Sequence, residues 1–383
     1  MDETSLRALL ERALVPEPPI GPVADNSLRA GIKLRRRRRM RAAAGGAAAI
    51  AVIAVAIPVV TGALGHTAAR RSGTTAQAET VYVMHNAGWF MTPISTITNT
   101  AGKRIRVAKG AMAIAITPDG KTIYVANWRA DTVTPITTAT NTAGKPIRAG
   151  KAPIWIAITP NGQTAYVSNW ASNTVTPITT ATNTPGKPIR AGPHPGMIAI
   201  TANGKTAYVV DEADHPGWGT VTPIATATNT PGKPIKVGSV PRAIAMTPDG
   251  KTAYVISGDD TSTPITTATN TPGTPIKVGR WPQAIAITPD GKTAYVANTN
   301  SGTVTPITTA TNRAGKPIRV ADGPGMIAIA ITRDGKTVYV VSGTAGTLTP
   351  IATATNTPGK PIKAGKHPFA LVIAPDSHDA GHH

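Results

Sequence analysis

From Glu79 to Pro375 apolar and polar positions alternate every second residue, in short runs separated by turns. The run "QAIAITPDGKTAYVANTNSGTVTPITTATNRAGKPIRVA" (Gln283–Ala321) shows the unit. Period-2 alternation of Ala, Ile, Val, Tyr and Thr predicts four short strands in it: "AIAIT", "TAYVAN", "TVTPIT" and "KPIRV". "TPDGKT" joins the first strand to the second, with Gly at the left-handed position, and "ATNTPG" joins the third to the fourth. All 7 tyrosines are followed by valine, at Tyr82, Tyr124, Tyr166, Tyr208, Tyr254, Tyr295 and Tyr339, with spacings of 42, 42, 42, 46, 41 and 44. Four strands every 40–45 residues, seven times over, predict an all-β, seven-bladed β-propeller. The repeats begin with a second strand (Thr80–Asn86) and end with an isolated first strand (Phe369–Pro375), so the last strand is expected to complete the first blade and close the ring. Every third strand carries a proline, such as Pro135 or Pro306, which predicts a bulge or the end of the neighbouring outer strand there.

The tetrads "YVAN" (124–127 and 295–298) and "YVSN" (166–169), each after a P-[DN]-G-[KQ]-T turn, resemble the YVTN-type β-propeller repeat family. That resemblance implies a surface-layer or lactonase-like seven-bladed propeller. Four tetrads depart from it at the fourth position, reading "YVMH", "YVVD", "YVIS" and "YVVS".

Ahead of the repeats the pattern changes. "RRRRRMR" (Arg35–Arg41) precedes a 24-residue run without charge, Ala42–Gly65, which is long enough to span a bilayer as a helix. The 41 residues before it favour a retained anchor over a cleaved signal peptide. Six arginines before the run and two after it, Arg70 and Arg71, place the amino terminus in the cytoplasm. The expected organisation is a basic cytoplasmic tail with a short helix (1–41), a transmembrane helix (42–65), a linker (66–78), an extracytoplasmic propeller (79–376) and a tail (377–383).

Alternating strands sort the turns onto two faces. The PDG and NTPG turns, near-copies of one another, share a lower face. The second-to-third loops and the blade-to-blade connections, different in every unit, share an upper one, where variation leaves room for function. Trp89, Trp128, Trp170 and Trp218 fall in second-to-third loops and Trp155 and Trp281 in blade-to-blade connections, so all 6 tryptophans are expected on the upper face. Exposed indoles stack on sugars and on peptide side chains, which makes these six the candidate ligand-binding residues.

Composition adds charge. The formal net charge is +20, of which the segment after residue 65 carries +15. A basic surface attracts anionic lipid, acidic wall polymers or nucleic acid. Lys121, Lys205, Lys251, Lys292 and Lys336 in the lower turns are the candidate membrane- or polyanion-contacting residues, and the short linker would hold that face toward the bilayer. The chain has 0 cysteines, which excludes disulfides and thiolate metal sites. Asp211, Glu212, Asp214, Asp259 and Asp260 gather acids in neighbouring upper loops as a weak calcium candidate, but lack the alternating ligand spacing of a dedicated loop. His85 with His367, and His194 with His215, fall two to a blade without the spacing of a zinc site. No nucleophile–base pair, phosphate loop or paired carboxylate is legible, so no cofactor is expected and a binding or scaffold module is preferred to an enzyme. The expected partners are the membrane, through 42–65, and a cell-wall glycan or surface protein, with the propeller a monomer. The alternatives are a lactonase-like or other propeller hydrolase and a nucleic-acid or other polyanion binder, the last disfavoured by the outward location.

Overall fold

The computed structural model describes residues 80–85, 89–95, 102–212, 218–320, 325–332 and 334–363. Within them the chain is all strand and turn, arranged as seven consecutive antiparallel sheets. Blade 3 is representative. Its inner strand Pro153–Ile158 pairs with Thr164–Asn169, which pairs with Thr174–Thr179, which pairs with an outer strand made of two pieces, Thr184–Pro185 and Ile189–Arg190. Blade 1 is described from its second strand onward, Thr80–His85, Phe90–Ser95 and Ile105–Arg106. Residues 1–79, which include the expected anchor, and the closing strand Phe369–Pro375 lie outside the described residues. Among the described residues no helix is long and apolar enough to cross a membrane.

The broken outer strand accounts for the recurrent proline. Pro135 pairs with Tyr124 on one side, and on the other its carbonyl accepts the Gly144 N–H at 2.8 Å. A residue's N and C=O point to the same side of a strand, so the missing N–H of Pro135 faces the gap between Thr142–Ala143 and Ile147–Arg148. The ladder bond that proline cannot donate falls where the outer strand has no partner to offer.

The core lies between blades. Second strands are buried on both faces because each sheet is sandwiched by its neighbours. Tyr124, Ala126, Val133 and Ile147 of blade 2 pack on Ile156, Ala165, Val167 and Ile178 of blade 3. Tyr166, Val175 and Ile189 of blade 3 in turn pack on Ile198, Ala207, Val209 and Ile224 of blade 4. One face of the second strand thus presents Tyr and a small residue, the other Ile or Ala with Val. Each fully buried Ile, Val or Tyr contributes roughly 1.5–3 kcal/mol relative to exposure.

A hydrogen bond crosses each interface described. The Tyr124 hydroxyl donates to Asn183 Oδ1 at 2.7 Å, Tyr166 to Asn229 at 2.7 Å, Tyr208 to Asn270 at 2.6 Å and Tyr254 to Asn312 at 2.6 Å. Tyr82 does the same with Asn141 and Tyr295 with Asn356. Each asparagine belongs to the third-to-fourth turn of the next blade and holds a left-handed conformation, as at Asn229 with φ 55°. Burial pushes the phenols of Tyr124, Tyr166 and Tyr254 up to about 12, so they remain donors across the ordinary pH range.

The lower face is bound together as the repeats imply. In the PDG turn Thr117 Oγ1 donates to Asp119 Oδ1 at 2.6 Å and Gly120 takes φ 71°. The adjacent turn docks on it through Thr138 Oγ1, which donates to Gly120 O at 2.7 Å. The same threonine contact recurs at Thr180, Thr226, Thr267, Thr309 and Thr353.

Candidate functional site

The upper face is built from second-to-third loops locked to blade-to-blade connections. Asp131 O accepts Ala149 N at 3.1 Å and its carboxylate accepts Ala152 N at 2.8 Å. Asp260 Oδ1 accepts Trp281 N at 2.8 Å, the same bond three blades later. The residue entering the inner strand of blades 2 to 6 is left-handed: Gly110, Ala152, His194, Val240 and Trp281 have φ of 77°, 55°, 52°, 52° and 57°. For β-branched Val240 that conformation is strained. Val240→Gly is expected to raise unfolding stability by about 1 kcal/mol in urea titrations, since strain of this kind costs ~1–3 kcal/mol and glycine returns part of the gain as chain entropy.

Beyond that residue, every inner strand described carries a bulge against its neighbour. In blades 2, 5 and 6 the register shifts between Ala111 and Ala113, Pro241 and Ala243, and Pro282 and Ala284. Bulges re-aim side chains. The bulged residues Met112, Ile154, Gly196, Arg242 and Gln283 therefore sit at the upper ends of the strands that line the ring axis. Most of this set is apolar or small. Arg242 and Gln283 break it.

The Arg242 guanidinium lies 3.9 Å from the Trp281 ring centroid, and Nη1 donates to Gln283 Oε1 at 3.5 Å. Desolvation lowers its pKa, and the charge of Glu212 opposes that shift. Nε is buried with no acceptor. Glu212 comes from blade 4, where Gly196 occupies the bulge; a Cβ on Gly196 would meet Glu212 Oε1 at 3.3 Å. The missing side chain leaves room for the carboxylate. Trp281 remains 42 % exposed. A cation, a carboxylate, a side-chain amide and an open indole thus meet at the axial mouth. Such a group can hold a polar, ring-shaped ligand by stacking and forked hydrogen bonds.

The six tryptophans all belong to the upper half of the ring, with one correction. Trp155 is not in a connection: it is the third residue of an inner strand, paired with Ser168, because the bulge at Ile154 draws the strand start back to Pro153. Trp128 N donates to Gly110 O at 2.7 Å and Trp170 N to Ala152 O at 3.0 Å, both upper-face bonds. The Trp170 ring lies 4.0 Å from the His194 ring. Lys109 sits over the half-buried Trp89 at 5.4 Å, and Trp218 is 65 % exposed.

The acidic candidates do not converge. Asp211 is fully buried at the upper end of its strand and is occupied by local donors: Gly192 N at 3.0 Å, Thr222 Oγ1 at 2.6 Å and Thr220 Oγ1 at 3.1 Å. It stands where Asn127, Asn169 and Asn298 stand in other blades. Burial pushes its carboxyl up to about 6. Asp259 accepts from Thr261 in its own loop and from Ser239 N in the preceding connection. Asp214, His215 and His367 lie outside the described residues. Among the described residues no three of His, Asp and Glu gather as a metal set.

On the lower face, four of the five candidate lysines lie beside a carboxylate of their own turn. Lys121 is 3.9 Å from Asp119, Lys251 3.8 Å from Asp249, Lys292 3.7 Å from Asp290 and Lys336 3.6 Å from Asp334. Bonds from the turn hold each of these carboxyls below its ordinary range. In each such turn the aspartate offsets the lysine, though the last also carries Arg333; Lys205 has Asn203 in place of the acid.

A family model described as lactonase, 7-bladed beta-propeller, matches residues 77–187. No curated protein matches. Among solved structures, the hydrazine synthase of Kuenenia stuttgartiensis is similar with TM-score 0.59 and 22 % identity, over 72 % of this chain and 92 % of that one. Dihydro-heme d1 dehydrogenase NirN gives TM-score 0.63 and 15 % identity, over 74 % of this chain and 63 % of that one. A functionally unknown protein from Desulfotomaculum acetoxidans DSM 771 gives TM-score 0.58 and 18 % identity, over 75 % and 95 %. At these identities the likeness concerns the fold alone. The seven sheets, the partial family match and these neighbours converge: the chain is a seven-bladed β-propeller, similar in its first blades to the lactonase propellers.

Proposed function

We propose that this protein is a binding propeller of the YVTN type, anchored by residues 42–65, which recognises cell-wall glycan at the upper mouth of its ring. The supporting observation is the Arg242–Trp281–Gln283 group with Glu212 beside it. The guanidinium is desolvated on an indole that is itself still open to a ligand, an arrangement suited to a sugar ring carrying a carboxylate or N-acetyl group. The upper tryptophans Trp89, Trp128, Trp170 and Trp218 extend the surface outward, and Trp155 lies inward of them on the third inner strand. The uncharged run after the arginine cluster supports the anchor, with the propeller outside.

The test is a glycan array probed with the purified full chain. Binding to wall-type glycans is expected, reduced at least tenfold by Trp281→Ala and by Arg242→Gln, which corresponds to about 1.4 kcal/mol or more. An array without signal overturns the reading. The family match over residues 77–187 favours a second reading, hydrolysis of a lactone. Release of acid from sugar lactones by the same preparation, abolished by Arg242→Gln, would establish it in place of simple binding.

A further inference from the structure

The outer strands carry a charge pattern that the mouth does not use. Blade 1 presents Lys103, Arg104 and Arg106 at its edge; blade 2, Lys145 and Arg148; blade 3, Lys187 and Arg190. Lys233 and Lys236, Lys277, then Arg313, Lys316 and Arg319, and finally Lys360 and Lys363 continue the series through blades 4 to 7. All are exposed, and the segments that hold them contain no Asp or Glu. The lysine–aspartate pairs described above belong to the lower turns, not to this edge. Outer strands of successive blades lie side by side, Ile147–Arg148 against Thr184–Pro185 and Ile189–Arg190 against Thr230–Pro231, so the cations form a continuous belt along the rim.

The belt separates two kinds of polyanion by shape. A bilayer surface is flat and meets a disc on a face, where four of the lower turns set an aspartate beside their lysine. Four strands spaced ~4.8 Å apart put the rim roughly 15 Å outside the inner strands, a curvature far tighter than a nucleic-acid duplex with a persistence length of about 500 Å can follow. A flexible single chain can follow it from blade to blade. We propose that the rim is a track for a flexible, single-chain phosphodiester polymer that wraps the edge of the disc. In blades 1 to 6 a buried isoleucine precedes the last basic residue of the outer strand, as in Ile147–Arg148 and Ile189–Arg190, and fixes the direction in which that cation points. This inference is independent of the mouth, and either can fail without the other.

Binding of the full chain to poly(glycerol phosphate) and to single-stranded oligothymidylate is measured against salt. Two quadruple variants are compared: Arg148, Arg190, Lys236 and Arg319 to Gln on the rim, and Lys121, Lys251, Lys292 and Lys336 to Gln in the lower turns. Both remove the same charge from exposed positions, and the basic tail is common to both. The rim variant should flatten the slope of log K against log salt by about 3, at ~0.7 per neutralised phosphate, while the turn variant should match the parent protein. Dependence on the rim with poly(glycerol phosphate) identifies a wall polymer; dependence with oligothymidylate alone identifies a nucleic acid as the source. Equal losses in the two variants would overturn the proposal, as would a duplex of equal charge binding as tightly as the single strand.

Discussion

Asp211→Asn should make the propeller more stable at neutral pH, by about 2 kcal/mol. The carboxylate is fully buried among neutral donors, with no cation among its hydrogen-bond partners. Its pKa rises from 3.8 to about 6, and two units correspond to roughly 3 kcal/mol of penalty on the charged form. The sign follows from proton linkage. Between pH 3.8 and about 6 the folded state holds the proton more tightly than the unfolded state, so stability falls as pH rises through that window and the full cost is present above it. Asparagine removes the charge and keeps the threonine contact with donor and acceptor exchanged, because Asn169 and Asn298 already donate to the equivalent threonines at 2.9 Å. Urea unfolding followed by tryptophan fluorescence at pH 7 and pH 4 should show the gain at the higher pH and almost none at the lower. A loss of stability at pH 7 would mean that the carboxylate has a cationic partner in the loop that follows it.

Tyr166→Ala should cost about 3–5 kcal/mol and Tyr166→Phe about 1 kcal/mol. Alanine empties a fully buried site between blades 3 and 4. Phenylalanine keeps the ring and loses the hydroxyl's bonds to Asn229 Oδ1 and to Thr226 O, the first of which can turn to water because Asn229 is exposed. The ratio of the two effects separates packing from hydrogen bonding at the blade interface. Equal losses would mean that the hydroxyl bond, not the ring, joins the blades.

The parts of this fold that were legible in the sequence are those that recur within one repeat. Alternation placed the inner, second and third strands, and the PDG turns fell where Gly120 and its counterparts take positive φ. The tyrosine–asparagine bond was not legible although both residues recur, because the partner stands in the following repeat, 59 residues from Tyr124 and 63 from Tyr166. Strand reversal also sorted the tryptophans correctly, except that Trp155 belongs to a strand. The mouth was harder. Arg242 falls in no sequence motif, and Glu212 read only as one acid of a weak calcium candidate. A clue was present in "PRAIAM" and "PQAIAI", where a charged and an amide residue interrupt strands otherwise made of Ala, Ile, Met and Pro. Reading it required the bulge, which depends on strand pairing and leaves no mark in alternation. Counting charge by residue also leaves out the aspartate two positions before Lys121, Lys251, Lys292 and Lys336.

Hydrogen exchange of the full chain, with and without a muramidase digest of cell wall, separates the two faces directly. Protection is expected in the connections around Ala152, His194, Val240 and Trp281, with the turns at Asp119, Asp249, Asp290 and Asp334 unchanged. Protection confined to those turns, with the mouth exchanging as before, would contradict the assignment of ligand binding to the upper face.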